Sequence, residues 1–295
     1  MDLRAVVMGV AFALMWSSAF TSARMIVTEA PPLTALALRF LISGAIGVAI
    51  AAAMGATWRL SRGQWRAVAV FGAMQNAAYL GLNFVAMQTI PASVAAIVAS
   101  AMPLLVAAAL WLRGERLALL GLAGLVAGFA GVAIIMGARV TGGIDMTGLA
   151  LCGLGVVALT VATLAVRGAS GGAGAAGLLM AVGLQMLVGS ALLWPLAAVF
   201  EGAALPPPGD WSARLVLAFL YTTLVPGLAA TWVWFALVGR VGATRAAAFH
   251  FLNPFLGVVI AAALLGERLG LWDAVGVAVV AAGILAVQIA RPTRT

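Results

Sequence analysis

The sequence predicts an all-α polytopic membrane protein with ten transmembrane helices arranged as two inverted five-helix repeats. Three observations carry that prediction: a composition that water does not solvate, ten apolar stretches of spanning length, and a charged tetrapeptide that occurs twice at matching places.

The chain is 65% hydrophobic and 8% charged, with a mean hydropathy of +1.17. A soluble domain carries about 25% charged residues, so most of this surface faces something other than water. The basic residues are 16 arginines with no lysine, and the formal charge is +8. These arginines stand singly between apolar stretches with no basic-aromatic patch, which excludes nucleic acid as a partner. Cys152 is the single cysteine and lies in an apolar run, so it reads as a small buried hydrophobe without a disulfide.

A span needs roughly 20 apolar residues. The predicted spans are 3–27, 33–54, 65–87, 92–112, 117–137, 147–166, 175–199, 213–237, 243–265 and 270–290. Barrel strands would be about half as long and would alternate in polarity. The first stretch is too long for a signal-peptide core and reads as a retained helix. Arginine placement then orients the bundle. With the N-terminus inside, Arg4, Arg59, Arg62, Arg66, Arg113, Arg116, Arg167, Arg240, Arg245, Arg291 and Arg294 are cytoplasmic, against Arg24, Arg139, Arg214 and Arg268 outside. Both termini are therefore expected in the cytoplasm, in an inner membrane.

Gly-Glu-Arg-Leu occurs at 114–117 and 266–269, and eight of 23 positions match between Gly114–Met136 and Gly266–Gln288. Matched pairs include Gly124 with Gly276 and Gly131 with Gly283. Upstream, Met102-Pro103 corresponds to Asn253-Pro254. The expected units are 1–140 and 141–295. Five spans per unit is odd, so the second copy enters the membrane upside down. Inverted repeats of this kind underlie many secondary transporters, with substrate bound near the midplane.

The chain resembles the drug/metabolite transporter superfamily, in its ten-helix EamA-type exporter branch. The resemblance is carried by Trp16-Ser17-Ser18-Ala19-Phe20, Leu38-Arg39-Phe40, Ala86-Met87-Gln88-Thr89-Ile90-Pro91-Ala92 and the two Pro…Gly-Glu-Arg-Leu units. It implies export of small metabolites, with amino acids and aromatic compounds among the family's substrates. Many members carry an acidic residue before the helix 9 proline, where this chain has Asn253, so carboxylate-dependent coupling there is in doubt.

Candidate pathway residues follow from helical phase. Gly72, Asn76, Tyr79 and Asn83 share one face of helix 3, as interhelical hydrogen bonders or as a substrate-facing stripe. His250, Asn253, Pro254 and Gly257 share a face of helix 9. His250 is the sole histidine, either packed and neutral or in contact with substrate or a proton. Pro103 and Pro254 are hinge candidates at matching mid-helix positions, and Ser93 and Ser100 share a face with Pro103. Trp16, Ser17 and Phe20 on helix 1, with Trp232 and Trp234 on helix 8, complete the aromatic set. Convergence of Trp16, Tyr79 and Trp232 would make a cavity for a flat ligand, its polar end held by Asn76, Asn83 and His250. Arg39 is expected to snorkel to the outer face as an anchor, or to contact an anion or gate.

No carboxylate falls in the middle of a span. That disfavours a proton-coupled exporter of cationic drugs. The chain has no Gly-Lys-Ser/Thr loop and no His-Glu-x-x-His, so a clustered metal site and an intramembrane enzyme are both disfavoured, and no cofactor is expected. The expected function is an inner-membrane secondary transporter exporting small amphipathic metabolites, aromatic or other neutral amino acids first. A multidrug or other-metabolite exporter is the alternative. The expected partners are a small-molecule substrate and the lipid bilayer, and a monomer could hold the whole pathway.

Overall fold

The computed structural model describes residues 3–114, 118–165, 174–205, 207–241, 246 and 248–290. Glu115, Arg116, Leu117, Arg167, Arg245, Arg291 and Arg294 lie outside the described residues. Among the described residues the chain is all-helical, in ten membrane-spanning segments forming two inverted repeats. Eight are long enough to cross a bilayer by themselves: α1 Leu3–Val27, α2 Pro32–Ala53, α3 Arg62–Ala86, α4 Ala92–Leu112, α5 Leu119–Thr141, α6 Met146–Ala165, α7 Ala175–Glu201 and α8 Ala213–Val241. The ninth, α9, is a 3-10 segment Ala248–Leu252 leading into an α-helix Asn253–Leu265, and α10 spans Leu271–Ile289.

Helix α3 begins three residues before the hydropathy boundary. Ser61 and Gln64 form a reciprocal capping box there, which supports a polar first turn that an apolar window misses. Contacts between connections show that the spans alternate in direction. One end of the bundle, opposite the chain's N-terminus and called the far end below, gathers the end of α1, the start of α2, the end of α7 and the start of α8. Glu201 accepts the amides of Leu33 and Thr34 and the Thr34 hydroxyl, all at 2.8 Å, and so caps α2 from the end of α7. Glu29 accepts from Ser212, the residue that caps α8.

The two halves interlock. Helix α1 packs on α8 and α9 of the second half, and α6 packs on α3 and α4 of the first. The long pairings α2 with α7 and α5 with α10 join the halves at either flank. The α5–α10 seam shows the inverted symmetry at single-residue level. A Cβ on Gly124 would stand 2.7 Å from the Gly283 carbonyl, and one on Gly131 would stand 2.9 Å from the Gly276 carbonyl. Gly124 matches Gly276 and Gly131 matches Gly283, so each glycine meets the counterpart of its own neighbour. That reciprocity is the mark of a two-fold contact. Small residues let the backbones approach where lipid supplies no hydrophobic drive.

Interruptions recur in matching places. Helices α3 and α8 each widen into π-helix, over Gly72–Tyr79 and Thr223–Ala229, an offset of 151 residues. Helices α4 and α9 each break just before a proline, at Ser100–Ala101 and at Leu252, before Pro103 and Pro254. In α8, Pro226 cannot donate to the Thr222 carbonyl one turn back. Arg39 supplies the missing donor from α2, its Nε 3.2 Å from that oxygen, while the Ser43 hydroxyl donates to the Thr223 carbonyl at 3.2 Å. Arg39 is only 5% exposed, so it turns inward to α8 instead of snorkelling. A broken backbone in an apolar medium offers the guanidinium a nearer acceptor than the interface does.

Replacing Gly283 with valine would drive its Cβ into the Gly124 carbonyl and the Gly128 backbone, all within 2.6 Å. Gly283→Val is expected to cost about 1–3 kcal/mol in detergent unfolding, whereas Gly153→Ala, with nothing within 4 Å of its Cβ in a helix interior, should hold or raise the midpoint. Asp145, at the exposed start of α6, is held below its ordinary 3.8 by the Thr89 hydroxyl first and the Gly148 amide second. Its stabilising contacts are therefore present above pH 3.8 and fade as the pH falls through the lowered value. Asp145→Asn should unfold earlier than wild type at neutral pH, and the two should converge on acidification below that point.

Candidate functional site

The interlock places α1, α8 and α9 at one junction and α6, α3 and α4 at its inverted counterpart. The candidate site lies at the first junction, where the broken α9 meets the middle of α1. The Ser17 hydroxyl donates to the Asn253 carbonyl and to Asn253 Oδ1, both at 3.4 Å. Asn253 Nδ2 is 2.9 Å from His250 Nδ1. With Oδ1 turned to Ser17, the amide donates to Nδ1, which makes that nitrogen an acceptor and leaves the ring proton on Nε2. The polar line Ser17–Asn253–His250 is thus assembled from residues 236 positions apart.

Aromatic rings surround it. His250 makes edge contacts with Phe12, Trp16 and Trp234, centroids 5.2, 6.3 and 5.0 Å away. Phe12 in turn meets Trp16 at 5.6 Å and Trp234 at 4.8 Å. His250, Asn253, Trp16 and Trp234 are each half-buried, so the cluster has accessible faces. Farther along α1, Ser18 and Tyr221 of α8 share a hydrogen bond of 2.7 Å, and Phe20 is buried. Helix α9 runs from the 3-10 segment Ala248–Leu252 directly into the α-helix that starts at Asn253-Pro254, where the proline has no N–H to leave unpaired. The N-terminal end of that α-helix gives the junction positive polarity without a formal charge.

The helix 3 stripe goes elsewhere. Asn76 donates to the Gln185 carbonyl of α7 at 2.9 Å, and its Cβ lies against Gly189. Asn83 donates to the Tyr79 carbonyl at 2.9 Å and accepts from the Cys152 thiol of α6 at 3.2 Å. Asn76, Tyr79 and Asn83 are all buried in this packing. They sit at the counterpart junction, so the proposed convergence of Tyr79, Asn76 and Asn83 with Trp16 and His250 does not occur. The reason is the crossover: α3 packs on α6 and α7, whereas α1 packs on α8 and α9. Ser100 caps the α4 break by donating to the Ala96 carbonyl at 2.7 Å.

Trp232 also stands apart from the aromatic cluster, 57% exposed on the bundle surface. Trp234, two residues on, takes the place expected of it. A signal for Trp234 was present in the sequence, since it follows Asn83 by the same 151 residues that separate Pro254 from Pro103. A groove of about 1320 Å³ opens at the far end between α2, α3 and α7, lined by Pro32, Ala77, Leu82, Pro195 and Phe200 among others. It shares no residue with the Ser17–Asn253–His250 junction, and the junction has the chemistry suited to recognition.

The sequence profile of the EamA-like transporter family matches residues 3–137 and again residues 146–288. A Bacillus subtilis (strain 168) protein called uncharacterized transporter YvbV is 26% identical over 260 residues, covering 88% of this chain and 83% of that protein. The aromatic amino acid exporter YddG of Ancylobacter novellus is 34% identical over 139 residues, spanning 47% of this chain and 48% of the exporter. A solved crystal structure superposes with a TM-score of 0.67 at 24% identity, over 97% of this chain and 96% of the other, which shows a shared fold.

Asn253→Ala removes both side-chain links of the polar line at once. It is expected to lower stability in detergent by about 1–3 kcal/mol, and Trp232→Ala on the exposed face by no more than about 0.5 kcal/mol, both read from thermal or denaturant midpoints.

Proposed function

The chain belongs to the EamA-like transporter family, and from that premise we propose that it exports aromatic or other neutral amino acids by alternating access. It is a multi-pass membrane protein; the inner membrane, with both termini cytoplasmic, is the proposed setting. The observation that carries the substrate reading is the ring of Phe12, Trp16 and Trp234 around a neutral Ser17–Asn253–His250 line. Aromatic walls favour a flat apolar side chain through stacking and edge contacts. The N-terminal end of the α9 half-helix favours a carboxylate, and the half-buried Asn253 oxygen accepts from an ammonium group.

The same placement favours a neutral or zwitterionic solute over a lipophilic cation. Among the described residues no carboxylate is within bonding distance of the line. A buried cation would lack the counter-charge that its desolvation demands. No covalent step is assigned: in this reading the solute leaves unchanged. The similarity to an aromatic amino acid exporter over about half its length supports the same substrate class.

The halves 1–140 and 141–295 would rock about the interruptions at Pro103 and Pro254. Each helix changes its hydrogen-bond pattern at that point and its proline supplies no N–H to the preceding turn, so the backbone bends most easily there. His250 accepts from Asn253 only while Nδ1 is unprotonated, since a protonated ring would set donor against donor. A proton arriving at His250 therefore breaks the polar line, which gives a route for coupling.

Counterflow in liposomes tests the reading. Labelled phenylalanine outside should accumulate when unlabelled aromatic amino acids are preloaded, and no accumulation with any amino acid would overturn the substrate class. Trp234→Ala should raise the half-saturating phenylalanine concentration about 2- to 10-fold, and Trp232→Ala should stay close to wild type. A pH gradient should change the rate in wild type but not in His250→Gln if the histidine carries the coupling proton.

A further inference from the structure

The far end carries a second set of polar contacts that the substrate reading does not use. They converge on the loop from Met87 to Pro91, which joins α3 to α4, and on the first turn of α4. Arg24, near the end of α1, donates from its guanidinium to the Met87 carbonyl. Glu267, between α9 and α10, accepts the amides of Ala92 at 2.8 Å and Ser93 at 3.1 Å. Asp145, at the start of α6, accepts the Thr89 hydroxyl at 2.6 Å. Arg24 and Glu267 also attract one another.

Two of the three groups, Asp145 and Glu267, belong to the second half, while the loop they hold belongs to the first. The loop turns Met87 and Ile90 inward while Gln88 and Thr89 face outward, and Ala92 and Ser93 in the first turn of α4 are buried beneath it. Against this stand two hydroxyls. Thr21 Oγ1 on α1 and Ser93 Oγ on α4 are buried without a hydrogen-bond partner among the described residues, and α1 packs against α4 along this stretch. An unpaired buried hydroxyl loses its water and gains nothing in exchange. Opening the far end would return water to both.

We infer that Arg24, Glu267 and Asp145 form a cross-repeat latch holding the α3–α4 loop closed over the far end of the pathway, and that the unpaired Thr21 and Ser93 hydroxyls bias the same end to open. Charged caps favour the closed state and dry hydroxyls disfavour it. Opposing terms of this kind keep two states close in energy, as a carrier requires. The latch rests on the alternating-access reading but not on the identity of the substrate.

The test reads far-end accessibility without substrate. Ser93→Cys, close in size and placed in a Cys152→Ala background, reports opening through its rate of reaction with a membrane-impermeant maleimide. Thr28→Cys, on the exposed end of α1, serves as the always-accessible reference. Arg24→Gln and Glu267→Gln should each speed labelling of Ser93→Cys about tenfold, because each weakens a charge-assisted bond to the loop. Thr21→Val should slow it about threefold, by removing one unpaired hydroxyl from the closed state. Unchanged rates in both glutamine variants, or a Thr21→Val effect in the same direction as theirs, would overturn the latch.

A glutamine variant that has lost its fold would label as fast as the reference and show no thermal transition. Asp145→Asn then carries the test: its position is peripheral, and it should speed labelling about threefold with the thermal transition retained. No change in that intact variant counts against the latch. Failure of amino-acid counterflow with these labelling shifts intact would refute the substrate class alone. Intact counterflow with unshifted labelling would refute the latch alone.

Discussion

A bilayer interior offers a polypeptide no hydrogen-bond partners, and each departure of this chain from continuous α-helix answers to that constraint. The π-helical turn of α8 and its proline leave carbonyls without their usual α-helical donors inside the apolar bundle. Side chains from neighbouring helices take them up. Arg39 and Ser43 of α2 serve carbonyls of the interrupted α8; Asn76 of α3 adds a bond to a carbonyl of the unbroken α7, and Ser17 of α1 adds one to the carbonyl of Asn253 at the start of the α9 half-helix. Most polar groups inside the bundle have a structural client. A functional site can form only where that demand is met with polar faces left accessible, as at Asn253 and His250.

The inverted repeat shapes how the demand is met. Each half presents the same interruptions at the same offset, but the crossover packs α1 against the second half and α6 against the first. The two junctions that result are alike in backbone and unlike in side chains. One holds Trp234 and a polar line with half-buried rings; its counterpart holds Asn83 bonded to Cys152 and closed by packing. Symmetry supplies two equivalent frames, and sequence divergence leaves one open. The far end shows the same economy, with Glu201 and Glu267 each capping a helix start that belongs to the other half.

Much of this was legible from residues alone. Ten spans, their alternation and the two-fold relation between halves follow from apolar length and from the repeated Gly-Glu-Arg-Leu, because bilayer thickness imposes helix length and an odd span count imposes inversion. The repeat offset even marked Trp234 as the counterpart of Asn83. Helical phase, however, says which residues share a face and not which neighbour that face meets. Asn76, Tyr79 and Asn83 share a face as expected, yet that face meets α6 and α7. Trp232 and Trp234 were indistinguishable by composition, and only the rotation of α8 about its axis turns one to the outside and the other to His250.

By itself the sequence determined the solvent of this protein, the number of its helices, their inverted pairing and the places where they break. These depend on local chemistry: apolar length, proline, glycine and a repeated motif. Tertiary structure alone decided the interlock of the halves, the assembly of Ser17, Asn253 and His250 from distant segments, and the inward turn of Arg39. Those outcomes depend on which helix lies beside which. In a uniformly apolar bundle, hydropathy is nearly the same on every face, so close glycine packing and hydrogen-bond demand choose the neighbours.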